Sequence, residues 1–176
     1  PKAYNMPPVE SEVLSVNMSF VSLIDGDLLH RWLERAGAKV YLCGQCQGVH
    51  LSELQSLPGV VESRVFLEED SILFTTELEI KPTALIPLVS DVVRINAMYP
   101  HIKVFPDVTD DQYPRLIACD TLLTGAGLTF EQFAQFISVC QELAGKLAQD
   151  LSEIGYLVQE GDSSEGIGGA PGARLH

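Results

Sequence analysis

Between residues 71 and 80 the side chains alternate without a break. Ile72, Phe74, Thr76, Leu78 and Ile80 fall on one side, and Ser71, Leu73, Thr75, Glu77 and Glu79 on the other. A period of two is strand geometry, with one buried and one mainly wet face. Upstream, Val61, Ser63, Val65 and Leu67 alternate with Glu62, Arg64, Phe66 and Glu68. That pattern predicts a second strand, with Glu68, Glu69, Asp70 and Ser71 as the polar turn of a central hairpin.

Three stretches carry the helical period instead. Over residues 25–36, Leu28, Leu29, Trp32, Leu33 and Ala36 make one apolar stripe. Asp25 is placed as N-cap, Asp27 puts negative charge in the first turn, and Gly37 stands where a helix stops. Trp32 on such a stripe reads as core. Over residues 82–98, Pro82 and Pro87 sit near the start, where a missing N–H costs least. Leu85, Leu88, Val89, Val92, Ile95 and Met98 are expected on the buried side. The third helix has the fullest local signature. Thr129 and Gln132 make a capping box, Leu128 and Phe133 a hydrophobic staple. From Phe133 through Ile154 the apolar spacing is long enough to span a sheet or reach a second subunit.

Shorter strands fill the gaps. Residues 39–51 read as a tight hairpin turning at Gly44-Gln45, which sets Val40 opposite Val49, Lys39 opposite His50 and Tyr41 opposite Gly48. Residues 101–105 and 115–122 form another, around an acidic loop at 107–111. The fold class is therefore α+β: an antiparallel sheet flanked by three helices in the order α-ββββ-α-ββ-α. One domain is expected over residues 18–158. Residues 1–17, with Pro7-Pro8, read as a flexible leader and 159–176 as a flexible Gly/Ser/acidic tail.

Composition narrows the function classes. The 176 residues are 46% hydrophobic and 20% charged, a globular balance with enough chain for a real core. No apolar run approaches the ~18 residues of a membrane span, and no export signal is evident, which points to the cytoplasm and away from a membrane partner. The net charge of −13 repels a phosphate backbone, so nucleic acid is not an expected partner.

Cys43-Gly44-Gln45-Cys46 with His50 is the one motif that suggests chemistry: half a zinc knuckle, a reversible redox pair, or a plain thiol pair. In a regular hairpin His50 would lie ~13 Å along the strand from Cys46 at ~3.3 Å per residue, too far for one metal unless the strand is broken. Cys119 would have to come from the other hairpin. The thiol pair is the leading reading, with no metal and no cofactor expected. Asp107, Asp110 and Asp111 lack the spacing of a calcium loop and read as a solvated turn. No nucleophile elbow, phosphate loop, dinucleotide fingerprint or H-E-x-x-H occurs, so no catalytic residue is assigned. Apolar side chains on the nominally wet strand faces, Phe66, Leu73 and Phe105, are the candidate protein-binding surface.

Several motifs together resemble the YbjN-like bacterial proteins, described as sensory-transduction regulators. They are Leu29-x-x-Trp32-Leu33, Cys43-x-x-Cys46-Gln47-x-x-His50-Leu51, Ile72-Leu73-Phe74 and Pro82-x-Ala84-x-x-Pro87-Leu88. Ile95-Asn96-Ala97, Leu116-Ile117-x-Cys119 and Thr129-Phe130-Glu131-Gln132-Phe133-Ala134 complete the set. The resemblance covers residues 28–157. It implies an antiparallel sheet flanked by helices, similar to type III secretion chaperones and often paired into homodimers. It also implies a part in controlling motility, surface polysaccharide or stress behaviour, with no enzymatic activity. A non-enzymatic regulator that binds a protein partner is the function expected. A thiol or zinc sensor through Cys43 and Cys46, and a holder of an exported protein, are the alternatives.

Overall fold

The computed structural model describes residues 21–108 and 113–159. The expected leader, all but the first residue of the expected tail, and Asp110 and Asp111 lie outside them. The chain runs α1 (Gly26–Arg35), β1 (Val40–Tyr41), β2 (Val49–Leu51), α2 (Ser52–Gln55), β3 (Val60–Leu67) and β4 (Ser71–Glu79). A 3₁₀ turn (Pro82–Ala84) then leads into α3 (Leu85–Met98), β5 (Lys103–Asp107), β6 (Arg115–Leu123) and α4 (Phe130–Ile154). Six strands form one sheet in the order β1-β2-β3-β4-β6-β5, every neighbouring pair antiparallel. The α+β architecture is as the hydrophobic pattern predicts, with two short helical turns added. Among the described residues no helix is long and apolar enough to cross a membrane.

All the long helices pack on one face of the sheet. Ile72, Phe74, Leu78 and Ile80 are completely buried there, together with Val65, Leu51 and Leu116. Two core clusters result. One gathers Leu29, Trp32 and Leu33 of α1 against Phe74, Phe133 and Ile137. The other gathers Leu88 and Ile95 of α3 against Leu78, Leu116, Leu147 and Leu151. Helix α4 supplies residues to both, so its length spans the sheet. Its capping box is complete: the Gln132 N–H donates to the Thr129 hydroxyl, and the Thr129 N–H to the Gln132 side chain. At the far end Gly155 takes the left-handed conformation, φ 84°.

Three expectations need correction. In β3 the register slips between Val60 and Glu62, so Val60 is buried where simple alternation puts Val61. A bulge adds a residue without a pairing partner and flips the count beyond it. In α3 only one line, Leu88 to Ile95, is deeply buried, and Val89 and Met98 are exposed. The first hairpin pairs Val40 with Leu51 and Tyr41 with His50, not with Val49 and Gly48. Its strands end early, and residues 42–48 form a loop in place of a two-residue turn.

Candidate functional site

The short pairing of β1 with β2 changes the chemistry of the Cys-x-x-Cys segment. Residues 42–48 curl back over β2, so the ~13 Å of an extended strand no longer separates Cys46 from His50. Gly44 makes the bend with φ 71°. Gly48 lies so close to the Phe66 ring that an added Cβ would sit 2.7 Å from it. The Cys46 Sγ is 3.3 Å from His50 Nε2 and 3.5 Å from Cys43 Sγ. The two thiols and the imidazole lie within 4.8 Å of one another. Cys119 is not among them. It sits on β6, opposite Thr75 of β4 and Lys103 of β5, three strands across the sheet from β2.

His50 is buried and held from behind. Its Nδ1 lies 2.9 Å from Glu62 Oε2, and the Gln55 amide donates to the same oxygen at 2.8 Å. The Tyr41 hydroxyl donates to Gln55 Oε1, and its ring stacks on the imidazole with centroids 4.6 Å apart. A carboxylate at Nδ1 favours the tautomer with the proton there, leaving the Nε2 lone pair facing the thiols. The backbone N–H groups of Gln45 and then Cys46, followed by the Cys46 thiol, hold the exposed Cys43 thiol down to about 6. Burial pushes Cys119 and Cys140 the other way, with Asp120 adding to the rise in both. Chemically, the cluster offers two sulfur donors and one oriented nitrogen.

The sheet face away from the helices carries the residues expected to bind protein. Phe66 and Leu73 are direct cross-strand partners, half-buried, with the Arg64 guanidinium 5.5 Å over the Phe66 ring. Phe105 is not beside them: it is exposed on β5, opposite Ile117. Between the two lies an ion triad in which Arg64 and Arg115 donate to separate oxygens of Glu77.

Sequence reasoning missed a different apolar surface. On the outer side of α3, Ile86, Val89 and Val93 are 75%, 49% and 81% exposed. Ser90 and Ala97 continue the line at helical spacing, and the charges of α3, Asp91 and Arg94, pair with each other at 2.8 Å. A signal was there: the helix is apolar on more than one side, which in a single layer leaves one side uncovered.

Residues 25–167 match the YbjN family model, described as "Putative bacterial sensory transduction regulator". The chain is 37% identical over 116 residues to YbjN of Escherichia coli (strain K12), covering 66% of this chain and 73% of that protein. The same figures hold for YbjN of Shigella flexneri. It is also similar to the solved structure "Crystal structure of YbjN, a putative transcription regulator from E. coli", at 31% identity and TM-score 0.76. That superposition covers 80% of this chain and 99% of the other.

Proposed function

The chain belongs to the YbjN family, and on that premise we propose that it is a non-enzymatic regulator that works by holding a protein partner. The observation that carries this reading is the uncovered stripe of Ile86, Val89 and Val93 on α3. Large apolar side chains at i, i+3 and i+7 are the anchors by which one helix receives another. Ser90 and Ala97 beside them are small enough for close approach.

The occupant is an amphipathic helix of another protein, with apolar residues along one side and basic residues on its flanks. Charge supports that choice. The stripe itself carries no ionised group, while the chain as a whole carries −13. Such a field draws a basic partner in and opposes an acidic one. The stripe is short against the ~800 Å² per partner of a standard stable interface, so the contact suits a reversible regulatory encounter.

A photo-crosslinking amino acid at position 93, in the full chain and in its native cell, tests this. An adduct is expected from position 93 and not from the exposed position 142 of α4. The trapped peptide should carry an apolar helical stripe with basic flanks, and Val89→Asp should abolish the adduct while leaving the circular dichroism spectrum unchanged. Equal adducts from both positions, an adduct only with a second copy of this chain, or indifference to Val89→Asp would overturn the proposal.

A further inference from the structure

The β1–β2 loop carries a site independent of the α3 surface. We infer that Cys43, Cys46 and His50 form a zinc site, with Glu62 behind His50 as the carboxylate that orients it. A tetrahedral zinc with Zn–S bonds of ~2.3 Å and a Zn–N bond of ~2.05 Å sets ligand atoms ~3.8 Å apart between sulfurs and ~3.6 Å between sulfur and nitrogen. The Cys43–Cys46 sulfur separation of 3.5 Å and the Cys46–His50 separation of 3.3 Å are both close to those edges. Those two edges need only a few tenths of an ångström of widening to admit the ion, and the Cys43 thiol and the imidazole, within 4.8 Å of each other, complete the three corners.

The surroundings favour a metal over a disulfide. A disulfide would draw the sulfurs from 3.5 Å to ~2.05 Å, whereas a zinc ion holds them near ~3.8 Å, the smaller change. Here the imidazole is the best-held group of the cluster. It is 3% exposed, bonded at Nδ1 by Glu62 and stacked under Tyr41, with Gln55 joining the two. Carboxylate to imidazole to metal is the arrangement by which second-shell groups fix a ligand nitrogen and raise its basicity. Two sulfurs and a nitrogen are soft to borderline donors, suited to zinc and poorly suited to magnesium or calcium. Three protein ligands leave the fourth corner of the tetrahedron to water, on the side where Cys43 is exposed. Binding takes up one Zn²⁺ and releases whatever protons the two thiols still hold.

The test uses the full chain, reduced and metal-free, titrated with zinc against a chromophoric chelator, with Co²⁺ as a spectroscopic probe. One zinc per chain is expected, and Co²⁺ should give thiolate charge-transfer bands with the strong visible absorption of tetrahedral coordination. Glu62→Gln should weaken zinc by the ~10–100-fold typical of a lost second-shell carboxylate. Cys43→Ser and Cys46→Ser should each weaken it by more than that, and Cys119→Ser should leave it unchanged. Because Cys43 is exposed, its serine variant tests the ligand without disturbing the core. Less than about a tenth of an equivalent of zinc on the reduced chain would overturn the assignment. So would retention of zinc by the Cys43→Ser/Cys46→Ser double variant, or a cobalt spectrum without thiolate bands.

Discussion

At the scale of single residues, the four cysteines occupy three environments, and their reactivity follows. Cys43 is exposed with its thiol lowered to about 6, whereas Cys140 is fully buried against Asp120 and raised. Limiting iodoacetamide on the metal-free chain at pH 7 should modify Cys43 first and reach Cys140 only after denaturant unfolds the chain. Peptide mapping by mass spectrometry reads the order, and early labelling of Cys140 would contradict the buried placement. Gly59 gives a second residue-level test. Its φ is 75°, and a Cβ there would lie 2.7 Å from the Cβ of Leu157, a fully buried residue. Gly59→Ala should therefore cost about 2 kcal/mol or more, combining left-handed strain of ~1–2 kcal/mol with the clash. Urea denaturation measures it.

At the scale of elements, α3 and α4 show how local and tertiary forces divide the work. In α3, Leu88 is completely buried and Val93 is 81% exposed, although both are aliphatic residues of the same helix. Leu88→Ala should lose ~2–5 kcal/mol, and Val93→Ala no more than ~0.5 kcal/mol. Comparable losses at both positions would mean that the outer stripe is covered within the monomer. In α4, Thr129→Ala removes the hydroxyl that receives the Gln132 N–H, at an expected cost of about 1 kcal/mol. This helix was legible in advance because a cap, a staple and an apolar stripe are local features written within a few residues of one another. The outer stripe of α3 was not. Periodicity marks which residues are apolar, but a helix with two apolar sides does not say which one the sheet will take.

At the scale of the whole molecule, the two core clusters stand side by side on one sheet face and are joined through α4. Ile137 belongs to one and Leu147 to the other, ten residues and ~15 Å apart along the helix. Ile137→Ala and Leu147→Ala should each cost ~2–5 kcal/mol and add to within ~0.5 kcal/mol in the double variant. A single cooperative transition should persist, because α4 and the β3–β4–β6 strands run through both clusters. Two separate transitions in thermal unfolding would show that the halves melt independently. The opposite face of the sheet is held differently, by the bridge from Glu77 to Arg64 and Arg115.

The amino-acid sequence by itself determined the strands, the three long helices and the α+β class. Those depend on side-chain period, caps and turn residues, all of which act over a few neighbouring positions. It also marked Cys43, Cys46 and His50 as the residues with chemistry to offer. What brought them together was tertiary: β1 and β2 pair over only two positions, and β2 lies beside β3 with His50 opposite Arg64. That register sets His50 beside Glu62, while the freed loop folds Cys43 and Cys46 onto the imidazole. Strand pairing joins residues distant in the chain, and its register depends on how faces pack and where a bulge falls. Neither is encoded in the spacing of four residues, so an extended-strand estimate separated atoms that the folded chain holds within 4.8 Å.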